Sequence, residues 1–281
     1  MQTWFITGAS RGFGALVAKL ALEKGDAVVA TARDPRSIVA ALGEHPNLLA
    51  VALDVTDEAQ AFAAAKEAIR RFGRIDVLLN NAGFGLLGAV EEATAAEVEA
   101  LYRTNVFGLL NVVRAVLPHM RRARSGHVIN ISSIGGYRSG AGFGVYCSAK
   151  FAVEGLTEAL AEELAPLGIK ATVVEPGYFR TDFLDARSLN VSDGQIPDYA
   201  GTAGAVRERA ARLSHRQPGD PARLAAALVE LGGNPAAPLR MPYGSDTVAA
   251  IEAKNAFVAA ELAAWRQVAV STDFPETGAA A

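Results

Sequence analysis

Thr7-Gly8-Ala9-Ser10-Arg11-Gly12-Phe13-Gly14 is the stretch on which the fold turns. It follows a β-rich apolar run, Thr3 to Thr7, and opens a stretch with helical periodicity, Ala15 to Lys24. Glycines permit a tight turn from strand to helix, and the free N–H groups of a helix N-terminus attract a phosphate. Gly8, Ser10, Arg11, Gly12, Phe13 and Gly14 are therefore candidates for holding the pyrophosphate of a dinucleotide. The spacing is G-x-x-x-G-x-G, which differs from the G-x-G-x-x-G of other dinucleotide folds.

Outward from this loop, short β-rich runs alternate with helical stretches. The strand candidates are Thr3 to Thr7, Ala27 to Thr31, Leu48 to Leu53, Val77 to Asn80, Val128 to Ser132, Ala171 to Glu175 and a short one near Leu239 to Met241. Helical patterns include Ala15 to Lys24, Asp57 to Phe72, Ala95 to Met120, Val145 to Ala165 and Pro221 to Leu231. The strands read as nearly continuous apolar runs, as burial on both faces requires. The pattern predicts an α/β chain: a Rossmann-type doubly wound parallel sheet of about seven strands, flanked by helices. One domain is expected over residues 1–281. It carries an irregular insertion at 178–220 that would form a lid over a substrate, and a C-terminal helical extension at 245–281. Within that extension, Thr247 to Val268 is expected to be an amphipathic closing helix.

Bulk properties narrow the class. A chain of 281 residues, 51% hydrophobic and 20% charged, has the composition of a soluble globular enzyme with a substantial core. A net charge of -3 leaves no electrostatic footprint for nucleic acid or an anionic membrane. The single cysteine, Cys147, forms no internal disulfide, which suits a reducing cytoplasm, and no signal peptide is read. Cys147 is expected to be a small buried hydrophobe. The four histidines lack metal-ligand spacing, so no metal site is expected.

Chemistry enters with Ser133, Tyr146 and Lys150. Tyr146 and Lys150 stand four apart at the start of a helical segment, so an ammonium lies beside a phenol on one helix face. Ser133 follows an apolar strand. A phenol beside a cation, with a hydroxyl close by, is a proton donor suited to a carbonyl oxygen. A hydride source must complete the reaction, and the glycine loop predicts a nicotinamide dinucleotide. The end of the second strand bears on which one. A carboxylate there selects the ribose 2′-hydroxyl of NAD, whereas Thr31-Ala32-Arg33 offers a guanidinium. Arg33, with Arg11, can grip a 2′-phosphate, so NADP(H) is expected ahead of NAD(H).

Loop, dyad and serine together resemble the short-chain dehydrogenase/reductase family over about residues 3 to 245. Asn80-Asn81-Ala82-Gly83 resembles the family's element after the fourth strand, and Ser133 precedes Tyr146 by the family's usual thirteen residues. Short stretches such as Gly85-Leu86-Leu87-Gly88 look closest to the hydroxysteroid and retinol dehydrogenase branch and to related carbonyl reductases. The resemblance implies a catalytic set of Asn105, Ser133, Tyr146 and Lys150, with Asn105 holding a water that relays protons to Lys150. It implies that Asp54 and Val55 read the adenine and that Asn81, Ala82 and Gly83 also touch the cofactor. It likewise implies that Pro176, Gly177, Phe179 and Thr181 border the nicotinamide, with Tyr146 and Lys150 binding its ribose side. Ser133, Tyr146, Phe84, Tyr137, Phe143, Tyr178 and Phe183 would contact a small carbonyl or alcohol substrate of apolar character.

The expected function is NADP(H)-dependent interconversion of a ketone or aldehyde and an alcohol, with Tyr146 as general acid and base. The alternatives are an NAD-preferring hydroxysteroid or retinol-type alcohol dehydrogenase and a non-catalytic NADP(H) sensor. A homodimer or homotetramer is implied, through the helices holding Asn105 and Tyr146; no nucleic acid or membrane partner is expected.

Overall fold

The computed structural model describes residues 1–274. Nine strands occur among them: β1 Thr3–Thr7, β2 Ala27–Ala32, β3 Leu48–Ala52, β4 Val77–Asn80, β5 Gly85–Leu87, β6 Gly126–Ile131, β7 Ile169–Pro176, β8 Leu189–Val191 and β9 Arg240–Tyr243. The α-helices are α1 Gly12–Glu23, α2 Arg36–Leu42, α3 Glu58–Phe72, α4 Ala95–Tyr102, α5 Leu109–Ala123, α6 Gly144–Leu164, α7 Ala205–Leu213, α8 Pro221–Gly233 and α9 Ser245–Val270. Seven strands form one sheet in the order β3-β2-β1-β4-β6-β7-β9, every neighbouring pair parallel. This is the doubly wound architecture that the alternation predicted.

Strand periodicity of two explains the two cores. Phe5, Val29, Leu78 and Val128 turn to one face and pack with Ala64 and Ala68 of α3, Val112 and Val116 of α5, and Val153 of α6. Their neighbours Trp4, Ile6, Val28, Leu79 and Ile129 turn to the other face, against Val17 and Ala21 of α1 and Leu224 and Leu228 of α8. Each fully buried large side chain contributes about 1.5–3 kcal/mol of transfer free energy. Both faces are therefore dry, and the polar work falls to the strand ends.

The chain winds outward from β1 to β3, then returns to β4 and winds the other way. The crevice where the direction reverses lies between the ends of β1 and β4, the usual ligand position in such sheets. Thr7 and Asn81 weld that crevice. The Thr7 hydroxyl accepts from the N–H of Asn81 and Ala82 at 2.9 and 3.0 Å, and the Asn81 amide donates to the carbonyls of Thr7 and Gly8 at 3.0 Å. Gly8 has φ +65°, and a Cβ on Gly14 would lie 2.5 Å from the Gly8 carbonyl oxygen. Only glycine fits there.

Three expectations are corrected. The helix expected from Ala95 to Met120 is interrupted by π-helical turns at Arg103–Gly108, which carry Asn105. The segment 178–220 is less irregular than expected: β8 pairs in parallel with β5, and α7 follows. The Thr247 to Val268 region is helical but does not close on the body as an amphipathic helix. Apolar residues lie all round it, and of α9 only Thr247 is fully buried. Residues 275–281 of the 245–281 extension lie outside the described residues.

Candidate active site

A cleft of about 860 Å³ opens along the carboxyl ends of the strands and brings most of the expected residues together. At one end its lining includes Gly8, Ser10, Arg11, Gly12, Phe13, Arg33, Asp54 and Val55. Asn81, Ala82, Gly83, Ser133, Tyr146, Lys150, Pro176, Gly177, Phe179 and Thr181 continue it, and Phe84, Phe143, Tyr178 and Phe183 wall the other end.

The glycine-loop end has the features a dinucleotide requires. Helix α1 begins with no side-chain cap and no acidic residue in its first turn, so its leading N–H groups stay free for an anion. The close approach at Gly14 and Gly8 leaves room for backbone to meet a diphosphate. Arg33 is exposed at the cleft wall and makes no ion pair among the described residues. Its neighbour Asp34 is occupied, since both its oxygens accept from Arg36 at 2.9–3.2 Å. The carboxylate next to Arg33 in sequence is thus tied to Arg36. The residues present therefore fit a nicotinamide dinucleotide.

Arg11 departs from expectation. Its guanidinium donates to the Arg187 carbonyl at 2.6 Å and to the Ser188 hydroxyl at 3.0 Å, fastening the glycine loop to the segment over the cleft. That contact, between residues far apart in sequence, draws the side chain away from a 2′-phosphate role. Arg33 is left as the candidate for that role.

At the centre, Tyr146 and Lys150 lie one helical turn apart on α6, with the ammonium 5.9 Å from the phenol ring. Lys150 donates to the Ile131 carbonyl at 2.9 Å, which anchors it to the end of β6. Burial pushes the Lys150 ammonium down to about 8, with the charge of Glu154 opposing. Burial likewise pushes the Tyr146 phenol above its ordinary value, against a hydrogen bond with Ser133 that lowers it. A phenol in this setting is held protonated at neutral pH. The Ser133 hydroxyl also accepts from Gly135 N–H at 3.0 Å, so its position is set by the turn after β6.

Asn105 is buried, and both its polar atoms are engaged by one residue. Its amide donates to the Phe84 carbonyl at 2.8 Å, and its oxygen accepts from Phe84 N–H at 3.1 Å. The π-helical turns aim it there. It sits near Lys150, since a Cβ on Gly83 would lie 3.1 Å from Asn105 Oδ1 and 3.8 Å from Lys150 Nζ. In this arrangement Asn105 fixes the backbone at Phe84, just before β5.

Tyr137 is placed outside the cleft. Its ring lies under Arg240, and its hydroxyl donates to Asn255 of α9, so it docks that helix and does not line the cleft. The aromatic wall is otherwise as expected: Tyr146 contacts Phe183 with ring centroids 5.7 Å apart and Phe143 at 6.0 Å. Sequence reasoning missed Leu184, Asp246 and Ala250, which also line the cleft. Asp246 accepts from Tyr178 N–H at 2.8 Å and crowds Gly177, where a Cβ would lie 2.2 Å from its oxygen. The start of α9 thereby supports the loop after β7. No local sequence signal marks a contact between residues this far apart.

Behind Lys150 lies a second polar cluster. Arg240 donates to Glu175 at 2.7 Å and also to Glu154 and Glu158. Burial raises the Glu154 carboxyl to about 7. Cys147 is buried and unpaired, as expected.

Comparison with known proteins agrees with this geometry. The family model for short chain dehydrogenase matches residues 2–191. Oxidoreductase BOA17 of Botryotinia fuckeliana is 38% identical over 273 residues, covering 96% of this chain and 99% of that protein. The 3-ketodihydrosphingosine reductase of Bacteroides thetaiotaomicron is 45% identical over 199 residues, 71% of this chain and 72% of its own. A short-chain dehydrogenase crystal structure from Streptomyces avermitilis superposes with a TM-score of 0.89 at 42% identity, over 97% of this chain and 99% of that one. Two more distant structures hold cofactors. The Burkholderia phymatum enzyme in complex with NAD has a TM-score of 0.79 at 25% identity, covering 89% of this chain and 92% of its own. ElxO with NADP bound has a TM-score of 0.73 at 26% identity, covering 88% and 99%.

Proposed function

The chain is an oxidoreductase of the short-chain dehydrogenase family, and from that premise we propose that it reduces an apolar ketone or aldehyde with NADPH, and oxidises the matching alcohol in reverse. One observation carries the reading: Ser133, Tyr146 and Lys150 converge in a cleft that has a dinucleotide-shaped end and an aromatic end. When bound, the cofactor supplies or accepts the hydride at its nicotinamide ring. Everything else falls to this chain. Tyr146 Oη gives its proton to the carbonyl oxygen as negative charge develops there. Ser133 donates a hydrogen bond to the same oxygen, strengthening as that charge grows. Lys150, held by the Ile131 carbonyl, lends positive charge that stabilises the phenolate left behind. Asn105 holds the backbone at Phe84, just before β5, in place beside them.

A phenol that holds its proton at neutral pH is the acid that reduction of a carbonyl requires. Phe84, Phe143, Phe183 and Leu184 supply an apolar wall, which supports a hydrophobic carbonyl. The relative from Bacteroides thetaiotaomicron is by name a ketone reductase, in line with that choice. Arg33 supports NADPH, because it is free where Asp34 is not. We further place residues 178–220 as a lid, carried over the cleft by β8 and α7.

The test is a panel of ketones, aldehydes and alcohols with both cofactors, followed by nicotinamide absorbance. Stoichiometric oxidation of NADPH by apolar carbonyls is expected. Absence of turnover with every carbonyl and alcohol in either cofactor would overturn the reading.

A further inference from the structure

Carbonyl chemistry accounts for the centre of the cleft and for its cofactor end, but not for the charge at its aromatic end. Five arginines line the cleft, and none of them is ion-paired among the described residues. Arg11 and Arg33 belong to the cofactor end, and Arg187 stands beside them, since its carbonyl accepts from Arg11. Arg138 and Arg209 remain.

Two separate elements bring these two to the aromatic end. Arg138 follows β6, directly before Ser139, Gly140 and Ala141, which line the cleft with it. Arg209 is on α7. One turn before it, Val206 packs on the same loop, since a Cβ on Gly142 would lie 3.1 Å from Val206 Cβ. One residue after it, Ala210 is buried with Leu87 and Leu189, and Phe143 and Leu184 pack against them. Both arginines are exposed, and neither guanidinium makes a hydrogen bond among the described residues.

The other two arginines of α7 give the contrast. Arg207 donates to the buried Glu92 at 2.6 Å, and Arg212 pairs with Glu208 at 3.4 Å. The chain thus supplies acceptors for the arginines that turn away from the cleft and none for the one that lines it. The lining carboxylates are occupied elsewhere. Asp54 accepts from Thr56 and Asp246 from Tyr178, while Asp182 gathers with Asp185 and His215, their ligand atoms within 4.8 Å of one another. A guanidinium pair beside an apolar pocket suits a planar oxyanion, which each fork binds through parallel hydrogen bonds. A wholly apolar ketone would gain nothing from the pair, and a cationic one would be repelled.

We propose that the substrate is an amphiphilic oxo acid, with its carbonyl at Tyr146, its apolar body along Phe84, Phe143 and Phe183, and its carboxylate at Arg138 and Arg209. This substrate class rests on the carbonyl-reductase reading above and names the carbonyls that the cleft selects. Burial of the body supplies affinity, and the arginines supply the choice of acid over ester. Because both are exposed, that choice weakens with salt.

Calorimetric titration tests the subsite without turnover, using straight-chain carboxylates from hexanoate to decanoate and their methyl esters. At least one acid should bind about tenfold more tightly than its ester, with the difference narrowing at high salt. Arg138→Gln and Arg209→Gln should each remove most of that preference by weakening the acid alone. Arg216→Gln, at an exposed arginine outside the cleft lining, should leave it intact. Equal affinity for acid and ester, no binding of any acid, or an unchanged preference in both cleft variants each overturns the proposal. Nicotinamide absorbance with matched oxo acids and oxo esters then separates it from the reading beneath it. A lower KM for the acid, lost in either cleft variant, is expected. Turnover of the ester with no advantage for the acid leaves the reductase standing and overturns the oxo acid. Binding of acid through both arginines with no turnover of any carbonyl overturns the reductase reading, and with it the oxo acid as substrate.

Discussion

The two ends of the cleft are held by different kinds of contact. At the glycine-loop end, short loops leave adjacent parallel strands and are fixed by close neighbours. Thr7, Gly8, Gly14 and Asn81 interlock so tightly that a single methyl group has no room. At the other end, where we propose the lid, single polar contacts reach across long stretches of chain. Glu92 accepts from Arg207 at 2.6 Å, from Ala89 N–H at 2.7 Å and from Ile196 N–H at 2.9 Å. Arg11 holds residues 187 and 188, Asp246 holds Tyr178, and Asp185 pairs with His215 at 3.0 Å. The difference has a functional consequence. A packed end suits a ligand that never changes, whereas a latched end can be rebuilt for another substrate without disturbing the sheet.

The junction of the two ends is where a substitution should act most strongly. Tyr146→Phe should lower kcat by about 10²- to 10⁴-fold, the usual scale for losing a proton donor. Cofactor affinity should be unchanged, because the ring remains. Near-wild-type turnover would sink the assignment. Next in size, Arg33→Ala touches only the packed end. Loss of one charge-assisted contact should raise the NADPH KM by roughly 10- to 100-fold and leave that for NADH nearly fixed. Equal changes for both cofactors would remove the 2′-phosphate argument. Glu92→Gln addresses the latched end alone. It should raise the substrate KM on the order of tenfold and speed amide exchange across 192–213, with the cofactor dissociation constant unmoved. Unchanged exchange in that segment would show that the lid rests on something other than this latch.

The same contrast explains what could be read from residues alone. The glycine loop, the strands from Thr3 to Glu175 and the Tyr146–Lys150 pair were legible because period, turn chemistry and spacing are local signals. Asn105 was legible as a position, yet its bonding to Phe84 depends on π-helical turns that a periodicity reading does not register. Arg11 lines the cleft as expected, whereas Tyr137 does not. What neither residue's neighbourhood shows is its bonding partner, Arg187 and Asn255, 176 and 118 positions away. Asp246 was missed for the same reason. The α9 helix was legible, but its packing was not, because apolar content does not say how much of a helix the body covers.

Acid offers the mildest way to separate the two ends. At the lid, the Arg207 guanidinium holds the Glu92 carboxyl down to about 2, and the Ser214 hydroxyl lowers Asp185, so both latches stay ionised through mild acid. The sheet behaves otherwise. His127, buried on β6 with Nε2 2.8 Å from the Thr172 hydroxyl, is pushed down to about 4 by desolvation from an ordinary 6.5. Between those values the unfolded chain binds a proton that the folded chain refuses, so stability falls as pH drops through this window. Glu154 works the other way. Its carboxyl, raised from 4.5 to about 7, favours the folded state below 4.5, and that advantage is lost as pH rises toward 7. The wild-type slope is therefore a difference of the two, and the His127→Gln variant isolates one of them. Relative to its own value at neutral pH, the wild type should lose about 2 kcal/mol more than the variant by about pH 5. Thermal melts of both proteins across that range measure it, and parallel curves would refute the role of His127. Amide exchange over 192–213 should meanwhile keep its pattern at the same pH, after correction for the intrinsic rate. If acid loosened the lid before the sheet, the latched end would depend on a titrating group other than Glu92 and Asp185.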